Sequence, residues 1–253
     1  MPRQARQSSQ TGIYHIILRG INRQIIFEDD EDRKKMIRCL QLYKEKCQCG
    51  IYGYCLMDNH IHLLLKEGND PIANFIKKVG VSYVAWYNHK YQRCGHLFQD
   101  RFKSETIDDE QYLLTVLRYI HQNPVKAGLA ADLSKYPWSS YSEYTGDSTL
   151  VDADFIMGIF AGEQEKAVMY LKTYMAEQGE ATCIEIDDSA KPTDKQAQLL
   201  IQEYVGANTL AELLVMDKQK RNEVLQKIKK LNGISTWQIA RITGISQSVI
   251  ARA

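Results

Sequence analysis

Several features that would narrow the function of a chain are missing from this sequence. No apolar stretch approaches the ~20 residues that a membrane span needs. The start, MPRQARQSSQ, is polar and basic and has no apolar run of the kind found in a signal peptide. No G-x-x-x-x-G-K-[ST] run marks an ATP-binding loop. We therefore expect a cytoplasmic protein that has no membrane partner and no P-loop chemistry.

Cysteine spacing and net charge exclude further classes of protein. The six cysteines do not form a zinc ribbon, because Cys47 and Cys49 are one residue too close for C-x-x-C and the other four are scattered. Free cysteines without an export signal fit a reducing compartment. The net charge is only +1, so the chain as a whole is neither strongly basic nor strongly acidic. With 253 residues, of which 44% are apolar, it can form one or two domains with a real core.

A pair of histidines is the most informative feature that is present. His60 and His62 lie in YCLMDNHIHLLLK, where apolar runs flank a polar break, a pattern that predicts two strands with the histidines at the start of the second. Alternate residues of a strand point to one face, so the two imidazoles could form half of a divalent metal site. An isolated H-x-H more often consists of two hydrogen-bonded polar residues on a sheet face, and that alternative stays open.

A second candidate segment is YLLTVLRYIHQNPVKAG, residues 112–128. Its apolar spacing, after three acidic residues, predicts a helix with a broad buried face. Pro124 predicts that this helix ends at Asn123. Tyr119 and Asn123 are four positions apart and share a helix face, whereas His121 points elsewhere. An ordinary half-buried tyrosine is the alternative for Tyr119, since the chain has 15 tyrosines.

Five blocks of sequence, taken together and in order, resemble one protein family. The blocks are GIYHIILRGINRQIIF, YCLMDNHIHLLL, GHLFQDRFKSETID, YLLTVLRYIHQNPVKAGL and YPWSSYSEYTG. They cover roughly residues 10–146 and are similar to the HUH-type, IS200-like transposases, which act on single-stranded DNA with one tyrosine. Within this family the chain is most similar to the REP-associated tyrosine transposases.

The resemblance implies a role for each matching residue. His60 and His62 match the metal-binding histidines, Tyr119 matches the nucleophile, and Asn123 matches the helical position of a third ligand. Gln122 is adjacent, but only Asn123 has the i+4 spacing from Tyr119. The family implies Mg²⁺ or Mn²⁺, a 5′-phosphotyrosine intermediate, and hairpin-forming repeats as substrate. The mixed ligand set leaves zinc as a weaker alternative.

The residue types agree with phosphodiester cleavage. A divalent cation would polarise the anionic phosphate, and Tyr119 would attack phosphorus to form a covalent intermediate. An unperturbed tyrosine has a pKa of about 10. The metal or a nearby base must therefore help to remove the proton, and the sequence does not identify that base.

Charge is distributed unevenly along the chain. Residues 1–146 carry 20 Lys and Arg against 16 Asp and Glu, whereas residues 147–253 carry 12 against 15. We expect single-stranded or hairpin DNA as the partner and a nucleoid-associated location; a homodimer is left open. Any single basic residue is more typical of a solvated surface. As a group, the following are plausible contacts to a DNA backbone: Arg19, Arg23, Arg101, Lys103, Arg118 and Lys126.

The coarse element order predicts the fold class. Strands are predicted at 13–19, 51–57, 60–66 and 102–107, with helices at 30–47 and 71–89 and in the tyrosine segment. This order predicts an α+β fold with a ferredoxin-like (RRM-like) antiparallel sheet and helices on one face, followed by a smaller all-α module. We predict three parts: an HUH nuclease domain at 1–146, a helical extension and linker at 147–189, and a helical module at 190–253.

The C-terminal segment STWQIARITGISQSVIARA carries a second pattern. Ser235 and Ser246 can cap two helices, and Gly244 allows a tight turn between them, which is typical of a helix-turn-helix. A basic run precedes it, at residues 218–230. A plain helical hairpin with a solvated basic face is the alternative. In the DNA-binding interpretation, the side chains that face the major groove are Gln247, Ser248 and Arg252.

The sequence thus predicts a metal-dependent endonuclease and strand transferase for single-stranded DNA. A DNA-binding regulator with a decayed catalytic domain is one alternative, although the intact residues 60, 62, 119 and 123 argue against decay. A metal-dependent phosphodiesterase that acts on RNA or nucleotides, with water as the nucleophile, is another. A covalent protein–DNA adduct would separate these three possibilities.

Overall fold

The computed structural model shows two compact units, residues 1–184 and 185–253. The residues it describes are 7–146, 148–177, 183–184, 194–205, 213, 216–229, 231, 234 and 236–252. The assignment of separate roles to residues 1–146, 147–189 and 190–253 stays a prediction.

A four-stranded antiparallel sheet forms the base of the first unit. Its strands are β1 (Ile13–Arg19), β2 (Gly50–Met57), β3 (His60–Lys66) and β4 (Lys103–Ile107). The order across the sheet is β2-β3-β1-β4, and each neighbouring pair is antiparallel. Together with the connecting helices, this order is the ferredoxin-like arrangement, and the predicted fold class is confirmed.

Three long helices cover the sheet: α1 (Asp30–Cys47), α2 (Ile72–Lys90) and α3 (Glu110–Lys126). The Asp29 side chain caps α1, and Pro71 lies at the cap of α2 rather than in its first turn. Helices α1 and α2 pack against each other. All residues from Ile13 to Leu18 are buried, so both faces of β1 are covered. Helix α3 covers the face that carries His15, which leaves the other face to the α1–α2 pair. The prediction of helices on one face is therefore wrong in this respect, because the apolar stripe of α3 is buried against the opposite face.

The end of α3 differs from the prediction. The helix continues through Pro124 to Lys126 instead of ending at Asn123. Pro124 is buried, so packing offsets the hydrogen bond that proline cannot donate. The backbone N–H of Ala127 still donates to the Asn123 carbonyl at 2.9 Å, and Gly128, with a φ of +70°, then ends the helix.

The block that contains WSSY covers the outer edge of β2. The Leu56 N–H donates to the Trp138 carbonyl, and the Ser140 N–H donates to the Tyr54 carbonyl, both at 2.9 Å. The Ser140 hydroxyl also lies 2.8 Å from Nε2 of His121. Burial lowers the pKa of His121 to about 3, so this buried imidazole is neutral. Its contact with Ser140 agrees with the prediction that His121 points away from Tyr119. The two backbone hydrogen bonds to the WSSY block close the edge strand β2 to further pairing.

Three further helices complete the first unit: α4 (Tyr141–Thr145), α5 (Ala153–Phe160) and α6 (Gln164–Ala176). Helix α6 packs against both α5 and α3. Helices α5 and α6 lie in the segment that the sequence predicts as a helical extension and linker, residues 147–189.

The second unit is helical, as predicted, in the part of it that the structure describes. Its helices are α7 (Asp194–Val205), α8 (Lys218–Ile228), α9 (Thr236–Thr243) and α10 (Gln247–Arg252). Gly244 has a φ of +72° and turns the chain between α9 and α10. The predicted cap Ser235 lies outside the described residues. None of the helices described in either unit is both long enough and apolar enough to cross a membrane.

A buried carboxylate joins α4 to the segment after it. Oε2 of Glu143 accepts from the backbone N–H groups of Thr149, Leu150 and Val151 at 2.7, 2.6 and 3.1 Å, and Oε1 accepts from the Tyr54 hydroxyl at 2.8 Å. Burial alone would raise the pKa of Glu143, but these hydrogen bonds outweigh it and hold the pKa below its ordinary value of 4.5.

Glu143→Gln should therefore lower the free energy of unfolding at neutral pH by about 1–3 kcal/mol, because four donors lose a charged acceptor. Since the pKa is lower in the folded state, the difference from wild type should shrink as the pH falls below 4.5 and through the folded-state pKa. Urea unfolding at several pH values measures this, with exposed Glu45→Gln as the control. A difference that does not depend on pH would contradict the account.

Candidate active site

The histidine pair lies on the face of β3 that α3 covers. In the β1–β3 pairing, His60 is opposite Arg19 and His62 is opposite Ile17, so the two imidazoles share a face. Their ring centroids are 4.9 Å apart, and the side chains are buried, with 3% and 1% exposure. Two imidazoles at this separation, on a strand in the middle of the sheet, form a rigid half of a possible metal site.

Helix α3 brings Tyr119 to this pair. The Tyr119 ring lies 5.6 Å from the His62 ring and 6.0 Å from the His15 ring, edge-on in both cases. The residues of α3 that face the sheet, including Leu113, Val116 and Leu117, are buried apolar side chains. Their burial orients the helix, and Tyr119 therefore points at the histidines.

Asn123, the predicted third ligand, lies one turn after Tyr119 on α3. Its amide nitrogen donates to the Tyr119 carbonyl at 2.8 Å, which leaves the side-chain oxygen as the acceptor that could bind a metal. Gln122 is committed elsewhere, because its amide donates to the carbonyls of Met175 and Glu177 at 3.0 and 2.9 Å. The geometry therefore favours Asn123 over Gln122, as the i+4 spacing predicts.

The donor set fits a divalent metal ion. Burial, followed by the charges of the neighbouring His60 and His15, holds the pKa of His62 well below its ordinary value, so His62 is a neutral imidazole. Nδ1 of His60 lies 2.6 Å from the Asn59 side-chain oxygen, which can only accept, so Nε2 of His60 carries the lone pair. In the described ranges no three His, Cys, Asp or Glu side chains form a metal cluster. The predicted ligands are therefore the two imidazoles and the Asn123 amide oxygen.

Sequence reasoning missed a polar chain behind His62. Nε2 of His15 lies 3.0 Å from Nδ1 of His62, and Nδ1 of His15 lies 2.7 Å from a carboxylate oxygen of Glu105. The Tyr112 hydroxyl donates to the other Glu105 oxygen at 3.0 Å. Burial raises the pKa of Tyr112, so its hydroxyl stays protonated. The signal was His15 itself, a polar residue in the otherwise apolar strand IYHIILR.

Some of the predicted basic residues surround this site. Arg19 and Lys103 stand on the same sheet face as the histidines, opposite His60 and Ile17 respectively. The Lys126 amine lies 5.6 Å from the Tyr119 ring centroid, a position it gains because α3 continues past Pro124. The exposed Arg101 lies two positions before Lys103, and Arg23 is in the loop after β1.

Arg118 is placed differently. Its guanidinium stacks on the Tyr174 ring at 4.3 Å and forms an ion pair with Glu177 at 2.9 Å. These contacts hold it against the end of α6, away from the face of α3 that carries Tyr119. In this arrangement the guanidinium binds Tyr174 and Glu177 of the protein itself, so it is not placed to contact a DNA phosphate as predicted.

In the second unit, the predicted DNA-facing residues lie on α10. Ser248 and Arg252 are exposed, whereas Gln247 is half-buried and its amide donates to the Thr236 hydroxyl at 3.4 Å. The Lys229 amine donates to the Ala251 carbonyl at 3.1 Å and thereby holds the end of α10.

A comparison with known protein families finds a match within the first unit. Residues 8–123 match the family described as "Transposase IS200 like". The resemblance to this family that the sequence indicates is thereby confirmed for this part of the chain.

The chain is also similar to an individual curated protein. A Haemophilus influenzae protein, named as a candidate REP-associated tyrosine transposase, is 29% identical over 114 residues, which are 39% of this chain and 64% of the relative. The chain thus spans somewhat less than two thirds of the length of this curated relative.

One solved structure shows the same fold. A REP-associated tyrosine transposase bound to a REP hairpin superposes with a TM-score of 0.52 at 17% identity, covering 74% of this chain and all of that one. A candidate transposase from Deinococcus radiodurans matches more weakly, with a TM-score of 0.34 at 17% identity over 47% of this chain and 95% of that one.

Proposed function

We propose that this protein is a tyrosine transposase that nicks and rejoins single-stranded DNA, with Tyr119 as the nucleophile. The observation that carries the proposal is the position of the Tyr119 ring, 5.6 Å from the ring of a buried, neutral His62. A tyrosine held against a pair of imidazoles on a rigid sheet is suited to attack on a phosphate bound at the same place.

His60, His62 and Asn123 would hold a divalent ion, either Mg²⁺ or Mn²⁺. When bound, such an ion polarises the phosphate and neutralises charge that builds up on its oxygens. The protein contributes rigidity, because the histidines lie on a central strand and Asn123 is tied to the backbone of its own helix. Fixed geometry of this kind lowers the cost of bringing the reacting groups together.

Tyr119 would attack the phosphorus of a phosphodiester. A bond forms between its oxygen and phosphorus, the bond to the 3′ oxygen breaks, and the departing strand leaves with a free 3′-hydroxyl. The 5′ phosphate stays on the tyrosine until a 3′-hydroxyl attacks and releases it, so joining needs no external energy source. The Lys126 ammonium, 5.6 Å from the Tyr119 ring, would favour the phenolate that attacks.

Hairpin DNA is the substrate that we propose. A solved protein with the same fold is bound to a REP hairpin. In this chain, Arg19 and Lys103 on the histidine face, with the exposed Arg101 beside them, offer positive charge where a strand would pass Tyr119. Phosphate contacts from such residues position a strand without reading its sequence.

The second unit would add a further DNA contact. Its α9–turn–α10 segment has two short helices around Gly244, and α8 before it carries exposed Lys220 and Lys227. A second helix that exposes Ser248 and Arg252 could enter a major groove. A helical hairpin that only packs or dimerises is the alternative.

Tyr119→Phe removes one hydroxyl and should abolish the covalent adduct with a single-stranded hairpin oligonucleotide in Mn²⁺. Cleavage should fall by on the order of 10⁴-fold or more, because the nucleophile is lost. DNA binding and thermal unfolding should stay close to wild type. A denaturing gel with end-labelled DNA measures cleavage and adduct together, and EDTA should reproduce the loss in wild type.

Tyr170→Phe, at an exposed tyrosine of α6, is the matched control and should behave as wild type. An adduct that persists in Tyr119→Phe would show that another residue is the nucleophile. Cleavage without any adduct in wild type would instead support a phosphodiesterase that uses water, and binding without cleavage would support a regulator.

Replacing Lys220 and Lys227 with Gln in the full chain tests the second unit. Each lost phosphate contact should make the slope of log affinity against log salt shallower by about 0.7–0.9, while nicking of short single strands persists. Lys172→Gln, at an exposed position of α6, should leave the slope unchanged. Equal slopes in all variants would favour the packing hairpin.

A further inference from the structure

We propose that His15 and Glu105 are positioning residues that hold His62 in the one ring form able to bind a metal ion. The inference rests on the proposed function, since it takes His62 as a metal ligand. Neither residue belongs to the histidine pair or to the tyrosine helix. They act through a chain of hydrogen bonds that runs across three neighbouring strands, from β4 through β1 to β3.

The chain starts at the Glu105 carboxylate. Glu105 is directly opposite His15 in the β1–β4 pairing, and its Oε1 lies 2.7 Å from Nδ1 of His15. Other donors converge on the same carboxylate: the Tyr112 hydroxyl at 3.0 Å and the Ile184 backbone N–H at 3.2 and 3.1 Å from the two oxygens. An ionised carboxylate only accepts, so Nδ1 of His15 carries the proton and donates it.

The position of the proton on His15 in turn determines which nitrogen of His62 is protonated. A neutral imidazole that donates from Nδ1 can accept at Nε2, and Nε2 of His15 lies 3.0 Å from Nδ1 of His62. His62 therefore donates from Nδ1, and its lone pair is left on Nε2. That nitrogen is the one a metal can use.

The ring geometry supports a true hydrogen bond between the two histidines. Their planes differ by only 20°, and their centroids are 5.2 Å apart while the facing nitrogens are 3.0 Å apart. The centroid distance exceeds the nitrogen distance by nearly two ring radii, so the rings lie edge to edge rather than face to face. The bond thus fixes both the ring form of His62 and its orientation.

The two histidines of the pair are held by different means. Nδ1 of His60 meets the side-chain oxygen of its neighbour Asn59 at 2.6 Å, a local contact. His62 depends on residues 47 and 43 positions away in the sequence, His15 and Glu105. Tyr112 ties the same carboxylate to α3, two turns before Tyr119. The proposed metal ligand and the helix of the proposed nucleophile therefore share one anchor.

Binding of Mn²⁺ alone to the full chain provides the first test. His15→Phe keeps an aromatic ring but cannot accept from His62, and it should weaken Mn²⁺ binding by about 10–100-fold, as the loss of an outer-shell partner does elsewhere. Glu105→Gln, a nearly isosteric change, should weaken binding by about tenfold. Glu45→Gln, at an exposed position of α1, should bind as wild type. Isothermal titration calorimetry measures all of these, with circular dichroism to confirm folding.

The second readout is the ring form of His62 in metal-free protein. In ¹⁵N-histidine NMR spectra, wild-type His62 should show a protonated Nδ1 and an unprotonated Nε2. His15→Phe should move His62 toward the form protonated on Nε2, a change that a merely structural role for His15 would not produce. If His15→Phe does not fold, Glu105→Gln carries both readouts.

Three results would overturn the inference. One is wild-type Mn²⁺ affinity in both His15→Phe and Glu105→Gln while His62→Ala loses binding; the metal site would then stand without its positioning residues. Another is a wild-type His62 already protonated on Nε2, which would mean that His15 donates from both nitrogens. The third is full Mn²⁺ affinity in His62→Ala, which would remove the proposed metal site as well.

Discussion

The packing of α3 against one face of the sheet is the constraint on which the candidate site depends. Gly53 on β2 permits this close approach, because a Cβ there would lie only 2.7 Å from the Leu117 side chain. Once the apolar stripe of α3 is buried, the next face of the helix must look toward β1 and β3. Tyr119 is on that face and meets His15 and His62, and Asn123 follows one turn later. A substitution that tilts α3 would separate the two halves of the site without touching either.

The same packing explains why buried polar residues are tolerated beneath α3. Imidazoles and a carboxylate inside a sheet are costly unless every donor finds an acceptor. Here Glu105, His15 and His62 satisfy one another in series, and Tyr112 completes the chain from the helix. Such a network is rigid because each member has one good arrangement. Rigidity of this kind is what a site for in-line attack on phosphate requires.

Much of this was predictable from local patterns in the sequence. The strand β1 and the helix α1 begin and end where the apolar period and the acidic cap place them, and β3 begins at His60. Alternation in the strand and i+4 spacing in the helix predicted which side chains share a face, namely His60 with His62 and Tyr119 with Asn123. These are short-range rules, and they hold because backbone geometry sets them.

Contacts between distant segments were not predictable in this way. Helix α3 continues past Pro124 because the burial of this proline outweighs its local tendency to end a helix. Burial depends on the tertiary fold, so local sequence rules do not predict it. Arg118 pairs with Glu177 just after α6, and Glu105 faces His15 only after β4 has paired with β1. The roles of the site residues are a further step, since geometry shows that they meet but not that they react.

The most direct test of the central claim is to map the covalent complex. The full chain would be incubated with a hairpin-bearing single strand and Mn²⁺, digested with trypsin and nuclease, and analysed by mass spectrometry. Cleavage after Arg118 and Lys126 releases residues 119–126, YIHQNPVK, in which Tyr119 is the only tyrosine. The account predicts a 5′-phosphonucleotide on this peptide. An adduct on any other peptide, or strand cleavage that leaves no adduct at all, would contradict it.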